Sequence, residues 1–122
     1  MTTGVDRMAE IATALSALYF GQPVYLVGSC VHPPDDCEPN DIDIAIPIPD
    51  DLFVAMYGPH NDGTPSTQWR RWARDCAKQS RELTLACGRF VDFKTQSYSL
   101  FETLADKPRR RLDRNINGDT FT

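Results

Sequence analysis

Apolar residues return at three- and four-residue steps from Val5 through Met8, Ala12, Leu15 and Tyr19. That spacing is the helical repeat and predicts a helix over Val5 to Phe20 with one buried stripe. Thr3, followed three places on by Asp6, supplies a capping box at its start, and Gly21 with Pro23 stops it. Val24 to Val27 is an unbroken apolar run, predicted as a short strand buried on both faces and ending at Gly28. Ser29 to Asn40 has three prolines, several acids and no period, so it reads as a loop. From Asp41 to Ile46 the pattern alternates, which puts Ile42, Ile44 and Ile46 on one face of a strand. Pro47 and Pro49 make the end of that strand an edge or an exit.

In the second half, Asp51 to Tyr57 is predicted as a short helix and Gly58 to Gly63 as a turn-rich loop. Thr64-Pro65 suits the start of a long helix that buries Trp69, Trp72, Ala73, Cys76, Leu83 and Cys87 and is capped by Gly88. Phe90 to Thr95 alternates again, with Val91 and Phe93 on one face and Phe90, Asp92 and Lys94 on the other. Ser99 with Glu102 forms a second capping box, opening a short helix that Pro108 ends. The resulting order is helix, strand, strand, helix, strand, helix. It predicts an α/β (α+β) chain, a small mixed sheet flanked by helices, over residues 1–107, followed by a basic, flexible tail over 108–122.

At 122 residues the chain is expected to form one domain, and its 41% hydrophobic and 25% charged content is that of a globular protein rather than a disordered one. No apolar run approaches the ~20 residues needed to span a bilayer, and Asp6, Arg7 and Glu10 interrupt any signal-peptide core. A cytoplasmic protein without membrane contact is therefore expected, with Cys30, Cys37, Cys76 and Cys87 as reduced thiols. Cys30, His32 and Cys37 match no common zinc spacing and lack a fourth ligand, so a zinc site is not expected.

Charge is unevenly spread. Asp35, Asp36, Glu38, Asp41, Asp43, Asp50 and Asp51 follow one another without a base, whereas the segments Gln68 to Arg89 and Lys107 to Arg114 are basic. Such asymmetry suits a cation site on one surface and an anion-facing surface elsewhere; a solvated helix face with a frayed tail explains the bases equally well. The run Arg109-Arg110-Arg111 could contact the phosphates of a nucleic-acid acceptor, but for three arginines in a terminal segment a solvated tail is the preferred reading.

Two readings of Asp41 and Asp43 are open. On an alternating strand they project together, either as a solvated face or as a carboxylate pair whose repulsion a cation would relieve. Mg²⁺ suits such a pair, because it binds one or two carboxylates together with substrate phosphates and water. Gly28-Ser29, at the end of the preceding strand, offers close backbone approach and a hydroxyl to a phosphate. Asp92, centred in a separate strand, adds a third carboxylate if the two strands are neighbours, so that three acids converge on one point.

Gly28-Ser29, an eleven-residue spacer, Asp41-Ile42-Asp43-Ile44, and later Val91-Asp92-Phe93 together resemble the polymerase-β-type nucleotidyltransferase superfamily in its minimal form. The resemblance spans Val24 to Ile48 and Phe90 to Thr95 and implies a nucleotidyltransferase-like fold. It implies that Ser29, beside Gly28, holds the triphosphate of an NTP, and that Asp41 and Asp43 bind Mg²⁺ or Mn²⁺. Asp92 would bind a second metal and help deprotonate the acceptor, and a nucleoside monophosphate such as that of ATP would pass to a hydroxyl-type group. The segment Cys30-Val31-His32-Pro33-Pro34, followed by acids, departs from the basic or small residues usual after Gly-Ser, so the phosphate grip would fall to Lys94 or an arginine of the long helix. A separate helical partner protein or a homodimer fits so small a member. The alternative is a nucleotidyltransferase-like module, antitoxin-like or nucleotide-sequestering, that binds without turnover, or an unrelated α/β protein whose aspartates are only solvated.

Overall fold

The alternating segments do become neighbouring strands. The computed structural model describes residues 3–31, 41–58 and 67–113. In chain order these are α1 (Gly4–Leu18), β1 (Tyr25–Val27), a 3₁₀ turn (Gly28–Val31), β2 (Asp41–Ile48), α2 (Asp50–Tyr57), α3 (Thr67–Cys87), β3 (Phe90–Ser97), α4 (Tyr98–Thr103) and β4 (Arg109–Arg111). The strands form one mixed sheet in the order β3-β2-β1-β4, with β2 and β3 parallel and the other two pairs antiparallel. This is the expected α+β class. Among the described residues no helix is long and apolar enough to cross a membrane. The positions His32, Cys37, His60, Thr64 and Pro65, and the side chain of Trp69, lie outside the described part.

Period-2 alternation puts Ile42, Ile44, Ile46, Ile48, Val91 and Phe93 on one sheet face, where they meet Met8, Ala12 and Leu15 of α1, Phe53 and Tyr57 of α2, and Leu83 and Cys87 of α3. Thr3 and Asp6 close the predicted capping box on α1 by exchanging backbone hydrogen bonds at 3.0 and 3.1 Å. Gly88 ends α3 in the left-handed region at φ 75°, where a side chain would be strained.

The opposite face is only half covered. Phe101 of α4 stacks on Tyr25 at 4.9 Å, and Ala45 and Pro47 are buried there. Beyond them Asp41 and Lys94 are exposed and Asp43 and Asp92 half-buried. The short roof explains why β1 is not buried on both faces as expected: Leu26 is covered, while Tyr25 and Val27 are half-exposed. β1 pairs only with Ile44 and Ala45 of β2, so Pro47 lies past that ladder, as the proline predicts.

Helix α3 differs from its expected stripe. Ala73 is exposed, and the residues facing the sheet include polar ones. Thr84 Oγ1 accepts the Val91 N–H at 2.8 Å, Ser80 Oγ accepts the Phe93 N–H at 2.9 Å, and the Trp72 indole donates to the Thr95 carbonyl at 3.1 Å. Four helical residues rise about 6 Å and two strand residues about 6.7 Å, so the step from Thr84 to Ser80 keeps pace with the step from Val91 to Phe93. The helix thereby satisfies backbone groups that an edge strand otherwise offers to another chain.

Two other expectations are corrected. Ser97, not Ser99, caps α4, its hydroxyl accepting the Leu100 N–H at 3.3 Å; Ser99 instead donates its N–H and hydroxyl to the Asp50 carboxylate. The sheet also continues past residue 107. Arg109–Arg111 pair with β1, Leu112 and Asp113 are buried, and only residues 114–122 of the expected tail lie outside the described part. The buried Asp113 carboxylate accepts the Val24 N–H at 2.7 Å and pairs with Arg111 at 3.1 Å, which locks three arginines into a ladder their charge alone disfavours. Asp113→Ala is expected to cost about 1–3 kcal/mol by leaving the Val24 N–H unpaired, read as a lower urea midpoint; an unchanged midpoint would show that β4 holds without it.

Candidate functional site

Strand register builds the site. Asp43 of β2 stands opposite Asp92 of β3, and one step further along the same face Ala45 stands opposite Lys94. Asp41 lies one step the other way, opposite Phe90. The condition left open by the sequence, that the two strands be neighbours, is therefore met, and the three acids share one face. They do not close on a single point: two residues along a strand separate Asp41 from Asp43 by about 6.7 Å. Among the described residues no group of three or more His, Cys, Asp or Glu side chains could hold a metal ion as they stand.

The electrostatics single out Asp43. Burial raises its carboxyl above the ordinary carboxylate range, and the charges of Asp92 and Asp41 raise it further, with Lys94 opposing. Lys94 Nζ lies 3.7 Å from Asp92 and partly neutralises that carboxylate. The donors are hard oxygens short of positive charge, a chemistry that suits a hard divalent cation.

Gly28 brings the turn after β1 to the same place. It sits at φ 77°, in the left-handed region, and a Cβ there would stand 3.6 Å from Asp43 Oδ2. Its N–H donates to the Pro108 carbonyl at 3.0 Å, and Ser29 is exposed beside it. Cys30 is a buried free thiol with a structural task. It donates to the Val27 carbonyl at 3.0 Å and receives the Asp43 N–H at 3.4 Å, tying the turn to the strand that carries Asp43. Burial pushes its thiol up, so it stays protonated and able to donate.

Two hollows flank the carboxylates. A small one of about 110 Å³ lies on the Gly28 side, with Val27, Gln96, Lys107 and Arg109 in its wall. A larger groove of about 590 Å³ lies on the far side, where Asp92 and Phe90 meet the outer flank of α3. Lys107 is the residue that sequence reasoning missed. In the sequence it is the last residue before the expected tail, and its signal there is the pair Lys107-Pro108 ahead of the arginines. Arg109, by contrast, is occupied: it lies over the Phe101 ring at 3.8 Å and donates to the Phe101 carbonyl at 2.8 Å. Comparison with protein-family models, with curated proteins and with solved structures finds no match, so the site is read on its own chemistry.

Proposed function

We propose that this protein is a metal-dependent nucleotidyltransferase that moves a nucleoside monophosphate from an NTP to a hydroxyl-type acceptor. The observation that carries the reading is the register pair Asp43 and Asp92, with Gly28 at 3.6 Å from the Asp43 carboxylate as a Cβ would see it. The meeting of the Gly28 turn, β2 and β3 on one face supports that reading.

Ser29, exposed in the turn after β1, would donate its hydroxyl to phosphate oxygens, and Lys107, in the hollow beside Gly28, would add a cation. Asp43 and Asp92, with Asp41 alongside, would hold Mg²⁺ or Mn²⁺ together with phosphate oxygens of the nucleotide, which supplies charge neutralisation at the transferring phosphoryl group. Since such an ion takes one or two carboxylates plus substrate oxygens, a third protein donor at the same point is not required. Asp92, in the wall of the groove, would accept the acceptor's proton. Reduced thiols at Cys30, Cys76 and Cys87 suit a cytoplasmic setting.

A second reading, a nucleotide-binding module without turnover, draws support from the Lys94–Asp92 ion pair, which occupies the carboxylate that transfer would need. One assay separates them. Incubation with α-labelled NTPs, Mg²⁺ or Mn²⁺ and candidate hydroxyl acceptors is expected to transfer label, and the Asp41→Asn/Asp43→Asn variant to transfer none. Metal-dependent nucleotide binding without transfer favours the module, and absence of both binding and transfer removes both readings.

A further inference from the structure

The groove beyond Asp92 is built unlike the rest of the surface. Ala77 and Leu85 of α3 and Phe90 of β3 line it, and Leu85 and Phe90 are 85% and 54% exposed. Ser80 and Thr84 also reach it, but their hydroxyls are already engaged by the Phe93 and Val91 N–H groups, so they add little polarity. That leaves two charged groups, Arg81 on the helix wall and Asp92 on the strand wall. Among the described residues Arg81 makes no ion pair, while Asp92 is turned to Lys94. The groove volume of about 590 Å³ falls within the ~300–1,000 Å³ usual for small-molecule sites.

We infer that this groove is the acceptor site and takes a small amphiphile: an apolar or aromatic body, an anionic group for Arg81, and a hydroxyl presented to Asp92. The inference rests on the nucleotidyltransferase reading for its chemistry. It rests on the position of the groove for its assignment, because the groove lies at β3 while Gly28 and Lys107 line the hollow on the β1 side of Asp43. Two substrates on two sides of Asp43 and Asp92 is the arrangement a direct transfer needs. The acceptor oxygen forms a bond to the α-phosphorus, and the bond from that phosphorus to the bridging oxygen of the β-phosphate breaks. Pyrophosphate leaves with the bonding electrons, and the hydroxyl proton passes to Asp92. A bare phosphate or a polyanionic chain fits poorly, since the walls are apolar and Asp92 repels it.

The probe is 3-(4-hydroxyphenyl)propionate, which carries a ring, a carboxylate and a hydroxyl, titrated into the full chain and followed through backbone amide shifts. Wild-type protein is expected to show saturable shifts confined to residues 77–85 and 90–92. Arg81→Gln should weaken that binding by about tenfold through loss of a charge-assisted hydrogen bond, and Leu85→Asp should abolish it, each with an otherwise unchanged amide spectrum. A parallel titration with Mg²⁺ and ATP reads the other side and should be unaffected by either variant. ATP shifts near Gly28 with no probe shifts in the groove overturn the acceptor site and leave the nucleotidyltransferase reading standing. Probe shifts in the groove with no ATP binding overturn that reading and the acceptor role with it. Probe shifts that ignore Arg81→Gln and Leu85→Asp overturn the inferred chemistry of the site.

Discussion

Asp43→Asn is expected to lower nucleotidyl transfer on the order of 10³-fold, the scale of removing a central electrostatic group from a reacting site, while leaving the fold as stable as before or more so. The second half of that expectation follows from charge. Asp43 is half-buried opposite Asp92 with Asp41 nearby, and its carboxyl is raised by burial and by those two charges. A carboxyl whose folded value lies above its unfolded one holds its proton more tightly in the folded state, so it imposes no penalty in acid and becomes unfavourable as pH rises through the raised value. The amide of Asn is neutral throughout and carries no such penalty. Urea midpoints of the variant should therefore equal or exceed those of the wild type at neutral pH, and the difference should shrink as pH falls toward the ordinary carboxylate range. A variant that loses activity and stability together would mark Asp43 as a structural residue and count against the site.

The other large effect concerns the α3–β3 seam. Ser80→Ala with Thr84→Val should cost about 2–6 kcal/mol, twice the about 1–3 kcal/mol of leaving one buried N–H unpaired. Val91 and Phe93, whose N–H groups lose their acceptors, are 0% and 1% exposed, so water cannot easily replace the hydroxyls. Valine keeps the shape of threonine, which separates the lost acceptor from lost packing. Thr84→Ser, which retains the hydroxyl, is expected to be much milder. The double variant should also self-associate at high concentration, since the freed strand edge can pair with another copy. Sedimentation and urea unfolding read the two outcomes; an unaltered midpoint would mean that the hydroxyls are dispensable to the sheet.

The period of two made the shared face of Asp41, Asp43 and Asp92 legible, because alternation assigns faces without tertiary information. It also placed the isoleucine core, whereas the partnership of β2 and β3 stood only as a condition that the structure meets. What it did not convey was distance along the strand, so the acids were expected to meet at a point and are instead spread along a face. The α3 seam was hidden for a different reason. Ser80 and Thr84 are four apart and Trp72 lies eight before Ser80, all on one helical face, but polar residues on a helix ordinarily face water, and only the strand beside them gives their donors and acceptors a use. β4 was hidden most deeply. Three consecutive arginines have no alternation, and what fixes them is Asp113 bonded to Val24, a partner 89 residues away.

The bond from the Gly28 N–H to the Pro108 carbonyl carries a consequence for solvent exchange. Protection of an amide proton measures how rarely its own acceptor lets go. The Gly28 proton, in the turn after β1, is held by the residue that leads into β4, so its exchange reports the opening of the C-terminal segment rather than of the turn's own neighbours. Deuterium uptake at Gly28 should therefore track uptake at the β4 rungs of β1, and a molecule bound beyond residue 113 that steadied β4 would slow exchange at the turn without touching it.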